Sequence, residues 1–517
     1  MRHCDPACRQ AGLREINNMK ILTPSQLYEA DRLTIEKEGI TSWQLMERAS
    51  LSAVDSIRNL TKKEAKICVL AGIGNNGGDG LAIAYHLHTS GYHVEVVILK
   101  YAESYSKDCQ INLDRLKNET EVDIKILQDD KIDFSTPTVF IDAVFGIGLN
   151  RKMPDFVEEI IKSVNHFNAF KIAIDVPSGL FLSSLTPEDA VVFKADHTLT
   201  FQCPKLHFFL PHFGNCVGKV TIIDIGLDKR FIEKSQTSNF YADRRFVKLL
   251  LQPRERFTHK GTYGHVLLVG GQKGMMGCMV LSSKSAIRSG AGKVSTVVPK
   301  CGIDILQSSS PEVMVIPSHK ANHISEVEIP FEPSVIGIGM GIGQSQDAEA
   351  ALIFFLNHTK KPMLIDADGL NIIANHKDLL KKLPSKSILT PHQGELARLI
   401  GQWSDDLDKI EKLKTFSADH DLILVSKDAY TFVVYNDEIY INSTGNAGMA
   451  TAGTGDVLSG LIAGLLAQGY TPLNASILGV HIHGLSGDIY ASNYEQNTLI
   501  ASEVIENFKA AFSLLKK

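Results

Sequence analysis

The sequence predicts an α/β protein of two domains, the first Rossmann-like and both built on parallel sheets. Three observations carry that expectation. Short β-branched runs alternate with segments of helical periodicity, the β-α-β rhythm of parallel sheets with helices on their faces. At 517 residues the chain exceeds the size at which a single core stops growing. Two glycine-rich turns, Gly72-Ile73-Gly74-Asn75-Asn76-Gly77-Gly78-Asp79-Gly80 and Ala452-Gly453-Thr454-Gly455-Asp456, each follow a strand or loop and lead into an apolar helical segment, 81–90 and 457–468. Bare backbone N–H groups and a helix N-terminus then converge beside a carboxylate, a geometry that holds anions. Two such turns imply two centres for phosphate-bearing ligands.

In chain order, strands are expected at 66–71, 94–99, 138–143, 171–175, 197–201 and 219–224. A polar stretch at 228–239 without apolar periodicity marks the boundary, dividing the chain into domains 20–235 and 236–517. The second domain opens with a helix near 244–251, a strand at 265–269, a glycine turn and a helix at 279–289. Further strands are expected at 293–298, 335–338, 362–366, 387–389, 422–426 and 431–435. There is no internal repeat and no low-complexity tract.

Composition narrows the class. Hydrophobic content of 44% and charged content of 21% are those of a globular enzyme. With 53 basic and 58 acidic residues the net charge is −5, which gives no reason to expect nucleic acid or a membrane as partner. The eight cysteines, at 4, 8, 68, 109, 203, 216, 278 and 301, show neither CxxC nor zinc-site spacing and read as reduced cytosolic thiols. The longest apolar stretch, around 457–467, is interrupted by Ser459, Gly460 and Gly464 and is too short to span a bilayer. Residues 1–18 are polar without a signal-peptide core, so a cytoplasmic location is expected, with 1–19 a disordered extension and Met19 a candidate natural start.

The first turn satisfies GxGxxG after a strand, and Glu103 lies near the place of a ribose-binding acid, so a dehydrogenase is a legitimate reading. Against it, Asn75, Asn76 and Asp79 crowd polar side chains where a dinucleotide turn wants small or apolar ones. Oxygen-rich turns suit hydroxyl recognition or a hard cation. Two more strand ends carry reactive residues: Asp142 through Leu149, with Arg151 and Lys152 beyond, and Asp175-Val176-Pro177-Ser178-Gly179, whose proline and glycine set a sharp turn that exposes Ser178. Strand C-termini form the ligand crevice of parallel sheets, so three acid-bearing turns can share one site. Taken singly, each aspartate is more often a turn former.

These three segments resemble the signatures of the NAD(P)H-hydrate epimerase domain, over roughly 20–227. The resemblance implies that Asn76, Asp142 and Ser178 hold a potassium ion. It places Asn75, Asn76, Gly77, Gly78 and Asp79, then Gly146, Ile147, Gly148, Leu149, Asn150, Arg151 and Lys152, and Asp175 around the hydrated nicotinamide nucleotide, with Asp175 the acid/base. Some relatives have a lysine or arginine where Asn150 stands, so that charge either comes from Arg151 or Lys152 or is missing.

The second half carries His259-Lys260-Gly261-Thr262-Tyr263-Gly264, Gly339-Met340-Gly341-Ile342-Gly343, Asp366-Ala367-Asp368-Gly369-Leu370-Asn371, Thr390-Pro391-His392-Gln393-Gly394-Glu395, and Asn446 to Asp456. Over about 241–517 these resemble the ribokinase-like ADP- or ATP-dependent NAD(P)H-hydrate dehydratase. The likeness implies that Cys278, Gly341, His392 and Asp456 line the substrate side. Lys427, Asp428, Ala429, Tyr430, Thr431 and Gly455 would contact the adenine nucleotide, accompanied by Mg2+. Asp428 stands where a glycine is usual and brings a negative charge toward the nucleotide. A histidine at 392 can also simply cap the turn that follows it. His481 and His483, two apart in a helical context, face different sides and are not read as ligands.

Independently of the likeness, helix-start amides can stabilise a transferring phosphoryl group, and Asp456 beside them can take a proton from the attacking hydroxyl. The reading is a homo-oligomeric bifunctional repair enzyme for hydrated NADH and NADPH: an isomerase for the R and S hydrates joined to an ADP-driven lyase acting on the S form. ADP rather than ATP follows from likeness to fused bacterial members, not from any residue. The rivals are a ribokinase-like vitamin or sugar kinase with an amino-terminal ligand-binding domain, a nucleotide-sensing scaffold, and the dehydrogenase.

Overall fold

The computed structural model describes residues 19–129, 134 and 137–516. The expected amino-terminal extension, residues 1–19, lies outside the described residues except for Met19. The chain divides into two compact units, residues 20–237 and residues 238–517, the latter joined by Met19.

The first unit contains β1 (Lys66–Ala71), β2 (His93–Leu99), β3 (Asp123–Leu127), β4 (Val139–Ala143), β5 (Phe170–Ile174), β6 (His197–Phe201) and β7 (Lys219–Ile223). They form a seven-stranded sheet in the order β3-β2-β1-β4-β5-β6-β7, parallel throughout. The order reverses between β1 and β4, so the ligand crevice opens at their carboxyl ends. The central strands are near-continuous apolar runs because helices cover both faces. β3 is absent from the sequence reading: it is an edge strand whose Asp123 and Lys125 are exposed, with no apolar run to announce it.

Two helices position the first site. α1 (Pro24–Glu38) starts at a Thr23/Gln26 capping box. α2 (Asn75–Thr89) begins at Asn75, six residues before the expected apolar start, so the glycine turn is itself the first turns of the helix. Glycines disfavour helix, but here packing decides. A Cβ on Gly77 would lie 2.1 Å from the Gly72 carbonyl oxygen, and one on Gly80 2.6 Å from Ala143 Cβ. The helix start can therefore press against β1 and β4. The polar stretch near the boundary holds a short helix, Lys229–Lys234, capped by Asp228.

The second unit contains β8 (Asn239–Ala242), β9 (His265–Val269), β10 (Lys293–Val298), β11 (Met314–Pro317), β12 (Val335–Ile338), β13 (Leu364–Ile365), β14 (Ile388–Leu389), β15 (Ile423–Ser426), β16 (Phe432–Tyr435) and β17 (Glu438–Asn442). Their order is β8-β17-β16-β15-β14-β13-β12-β9-β10-β11. From β11 to β15 the pairing is parallel, while β15-β16 and β16-β17 are antiparallel. Asn436, at φ 53, supplies the left-handed turn residue of the β16-β17 hairpin. β8, β11 and β17 fall outside the expected strands.

Helices α3 (Gly277–Arg288) and α4 (Thr454–Ala467) pack closely on this sheet. A Cβ on Gly460 would lie 2.0 Å from the Ser282 carbonyl oxygen, and one on Gly464 1.9 Å from Ser289 Oγ. The apolar side of α4, including Val457, Leu461 and Ile462, joins Leu364, Ile388 and Val425 in the core. Among the described residues no helix is long and apolar enough to cross a membrane.

Candidate active sites

In the first unit the strand ends surround a cavity of about 720 Å³. α2 contributes Asn75, Asn76 and Asp79; the turn after β4 contributes Gly146 to Arg151; Asp175 stands at the end of β5. Gly77 and Gly78 face the packing instead: a Cβ on Gly78 would meet Met46 Sδ at 2.8 Å. Arg151 and Lys152 part company. Arg151 lines the cavity, whereas the exposed Lys152 ammonium pairs with Asp155 at 3.1 Å and Glu158 at 3.5 Å.

Asp175 adopts φ 62, a left-handed conformation rare for residues other than glycine. Its Oδ1 accepts from Lys205 Nζ at 2.6 Å, Phe201 N at 3.1 Å and Thr200 Oγ1 at 3.2 Å. Lys205, only 3% exposed, also donates to Thr200 Oγ1 and to the carbonyls of Phe201 and Cys203. The result is an ion pair on the cavity wall in which the lysine is buried and Asp175, partly exposed, is held through Oδ1. Sequence reasoning passed over Lys205, and also Asp31 of α1, which lines the same cavity. Burial, then the Asp175 charge, raises the Asp31 carboxyl to about 7, partly offset by Lys205. Asp79 is pushed well above the carboxylate range, again by burial first and Asp175 next.

Beneath this wall Asn76, Asp142 and Ser178 meet around the Phe145 backbone, and the turn that was expected to expose Ser178 instead buries it completely against Asp142. Asn76 Nδ2 donates to Phe145 O at 3.0 Å, and Phe145 N donates to Ser178 Oγ at 2.9 Å. Ser178 Oγ donates to Asp142 Oδ1 at 2.6 Å, and its backbone N to Oδ2 at 2.7 Å. Burial raises the Asp142 carboxyl to about 6, and the hydrogen bonds from Ser178 and Val144 hold it back.

In the second unit, Asp456 lies in the first turn of α4, whose entry residue Gly453 takes φ 89. No described residue donates a hydrogen bond to the Asp456 carboxylate. Burial, then the negative charge of Asp366, raises it to about 7, and Lys427 counteracts. Lys427 Nζ pairs with Asp366 Oδ1 at 3.0 Å, and Ser459 Oγ donates to Asp366 Oδ2 at 2.7 Å. A Cβ on Gly455 would stand 3.5 Å from that ammonium and 3.9 Å from Asp366 Oδ2. Asp456, Gly455 and Lys427 thus come together, along with Asp366 and Ser459, which sequence reasoning did not place in the site. Only the strand-end motif Asp366-Ala367-Asp368 pointed that way.

Gly341, at φ 61, sits against Cys278: a Cβ there would be 2.6 Å from Sγ. The Cys278 thiol donates to Met275 O at 2.8 Å, and burial with the Asp456 charge pushes it up to about 12, so it stays protonated. His392 caps the helix Gln393–Ile400, its Nδ1 accepting from Gly394 N at 3.0 Å and Glu395 N at 3.4 Å, with the side chain 57% exposed. Its backbone bridges to Lys427. The Asp428 charge is met by Lys409 Nζ at 3.0 Å, and Ala429 N donates to the other oxygen at 2.8 Å. Tyr430 is partly buried, and the Thr431 carbonyl accepts from Asn442 N. His483, neutral because burial lowers it to about 4, braces the α4 start through its Nε2 and Thr454 O at 3.0 Å.

Two family models match the chain. One, described as NAD(P)H-hydrate dehydratase, covers residues 266–509, and one, described as YjeF-related protein N-terminus, covers 42–207. The bifunctional NAD(P)H-hydrate repair enzyme of Moorella thermoacetica is 32% identical over 515 residues, spanning 94% of this chain and 96% of its own. That of Escherichia coli K12 is 30% identical over 477 residues, spanning 91% and 90%. An ADP/ATP-dependent NAD(P)H-hydrate dehydratase from Bacillus subtilis, co-crystallised with ATP/Mg2+, is 27% identical with a TM-score of 0.47, covering 53% of this chain and 98% of its own. By full-length similarity and by both family models, the chain belongs to the bifunctional NAD(P)H-hydrate repair enzymes.

Proposed function

We propose that the first unit interconverts the R and S hydrates of NADH and NADPH and that the second dehydrates the S form at the expense of ADP, releasing AMP and phosphate. The observation that carries this reading is Asp456, a carboxylate at a helix N-terminus that accepts no hydrogen bond from any described residue, beside a partly buried lysine and a glycine open to the same space. Asp456 takes the proton of the C6 hydroxyl as that oxygen attacks the β-phosphorus of ADP and AMP leaves. Lys427 and the α4 amides balance the developing negative charge. The C6–O bond then breaks with its electron pair leaving on phosphate, the ring nitrogen stabilises the cation, and loss of a C5 proton restores the dihydronicotinamide. Mg2+ accompanies the nucleotide.

In the first unit, epimerisation requires the C6–O bond to open as the hydroxyl gains a proton, and water to return on the other face and lose one. Asp175 is the proton carrier, and Lys205 fixes its orientation. Asn76, Asp142 and Ser178 offer buried oxygen donors with one formal charge, a donor set suited to a large monovalent cation such as potassium and poor for zinc. Such an ion would supply positive charge beside the nucleotide. The free cysteines, Cys68, Cys109, Cys203, Cys216, Cys278 and Cys301, and the pyridine-nucleotide substrates support a cytoplasmic setting. A homo-oligomer completes the reading, and sedimentation would report it.

The test is to supply pure S hydrate with ADP or ATP and follow absorbance near 340 nm together with AMP and phosphate. Return of absorbance matched by AMP supports the reading. Nucleotide turnover on an added vitamin or sugar without return of absorbance would replace it with the kinase alternative. For the cation, epimerisation should weaken when potassium gives way to a bulky organic cation, and Asp142→Ala should weaken it even in potassium. Full activity without potassium would show a hydrogen-bonded turn only.

A further inference from the structure

We propose that Asp366 is a positioning residue of the dehydratase centre: fixed by Ser459 through one oxygen, it holds the Lys427 ammonium with the other, facing the glycine turn that opens α4. The inference rests on the reading of Asp456 as proton acceptor and Lys427 as a nucleotide contact.

The two carboxylates near Lys427 are built for different work. Asp366 is 2% exposed and committed through both oxygens, to Lys427 at 3.0 Å and to Ser459 at 2.7 Å. Asp456 is committed to no described donor. Ser459 follows Asp456 by three residues on α4, so the same helix face that presents the base also anchors the clamp. The backbone fixes Asp366 as well. Its N–H donates to Ile338 O, its carbonyl accepts from Gly369 N, and Ala367 next to it takes φ 50 and ψ −122, a strained conformation for a residue with a Cβ. Strain of this kind persists where the surroundings over-determine it, and it clusters at functional sites.

The arrangement has two consequences. Lys427 stands within reach of a phosphoryl group at Gly455, a glycine whose missing side chain would otherwise point at the ammonium. The same clamp withholds Lys427 from Asp456, leaving that carboxylate unpaired and able to accept a proton. The charged and titratable groups facing Asp456 are Asp366 beyond β13, Lys427 beyond β15 and Cys278 on α3, with Asp368 near Cys278. Neutral His483 stands behind Thr454. Removing the Asp366 charge takes away a like-charged neighbour and frees Lys427 to approach, and both changes make Asp456 more acidic.

The experiment uses the full chain with S hydrate and ADP, comparing Asp366→Asn, Ser459→Ala and Asp456→Asn, with epimerisation and melting temperature as controls of folding. Asp366→Asn should raise KM for ADP and lower kcat, kcat/KM falling about tenfold to a hundredfold, the scale of one hydrogen bond to a charged group. The acid limb of its kcat profile should move to lower pH. Ser459→Ala should shift both in the same direction by a smaller factor, and it decides the matter if Asp366→Asn does not fold. Parental kinetics and an unmoved acid limb in the folded variants, with Asp456→Asn inactive, would overturn the positioning role alone. Dehydration surviving in Asp456→Asn would overturn the underlying reading and the positioning role with it.

Discussion

Asp456 and Asp175 illustrate how burial and neighbours prepare one residue type for two tasks. Asp456, raised to about 7, needs its unprotonated form to accept the hydroxyl proton. Dehydration measured as initial rate against pH should therefore fall about tenfold per unit below that value and level off above it. A rate flat from pH 5 to 8 would exclude Asp456 as the base. Asp456→Asn should cut dehydration by roughly two to four orders of magnitude with epimerisation intact. Lys205→Met removes the counter-ion of Asp175 and leaves it only the Phe201 N and Thr200 Oγ1 donors, so epimerisation should be lost and the unit destabilised by about 1–3 kcal/mol; urea unfolding beside the epimerase assay would report both. At this scale the sequence was partly legible. Asp175 and Asp456 belong to local turn signatures. Their partners do not: Lys205 is 30 residues from Asp175, and Ser459 is 93 from Asp366, and those pairings exist only once the sheets form.

Glycine governs the elements that carry these residues. In α4 it acts twice, through packing at Gly460 and Gly464 and through open space at Gly455. Gly460→Ala would drive a Cβ against the Ser282 carbonyl, pushing α4 from α3 and moving Asp456 away from Cys278. The expected outcome is a lower melting temperature of the second unit with dehydration weakened and epimerisation kept; an unchanged melting curve would show that α3 and α4 are free to separate. Gly455→Val has no backbone to strike, since its nearest neighbours are Lys427 Nζ and Asp366 Oδ2. It should fold, yet fail to turn over with ADP, because the added methyls take the place of phosphate oxygens. Parental turnover by Gly455→Val would mean that the turn is merely structural. The parallel strands were legible as apolar runs, and the start of α2 was not. Six residues of asparagine, glycine and aspartate read as a turn by propensity, and tertiary contact with β1 and β4 makes them helix. Edge strands β3 and β11, short and half-exposed, lack the continuous apolar signal of buried ones.

The whole molecule joins a parallel-sheet unit and a unit whose sheet is parallel except for the antiparallel β15-β16-β17 strands, where the sequence led one to expect parallel pairing; each holds its own acid-bearing strand ends, which was visible in the sequence as two separated glycine turns. Two separate centres divide the labour, and one experiment exposes the division. A mixture of R and S hydrate is given to Asp175→Asn with excess ADP, and absorbance near 340 nm is followed to completion. The parent should restore all the absorbance in one continuous course. Asp175→Asn should restore the S share at the parental rate, and the R share only as fast as it epimerises unaided. Rapid recovery of the whole mixture would show that Asp175 is not the acid/base of the first unit, and no recovery of the S share would contradict two independent centres in one chain.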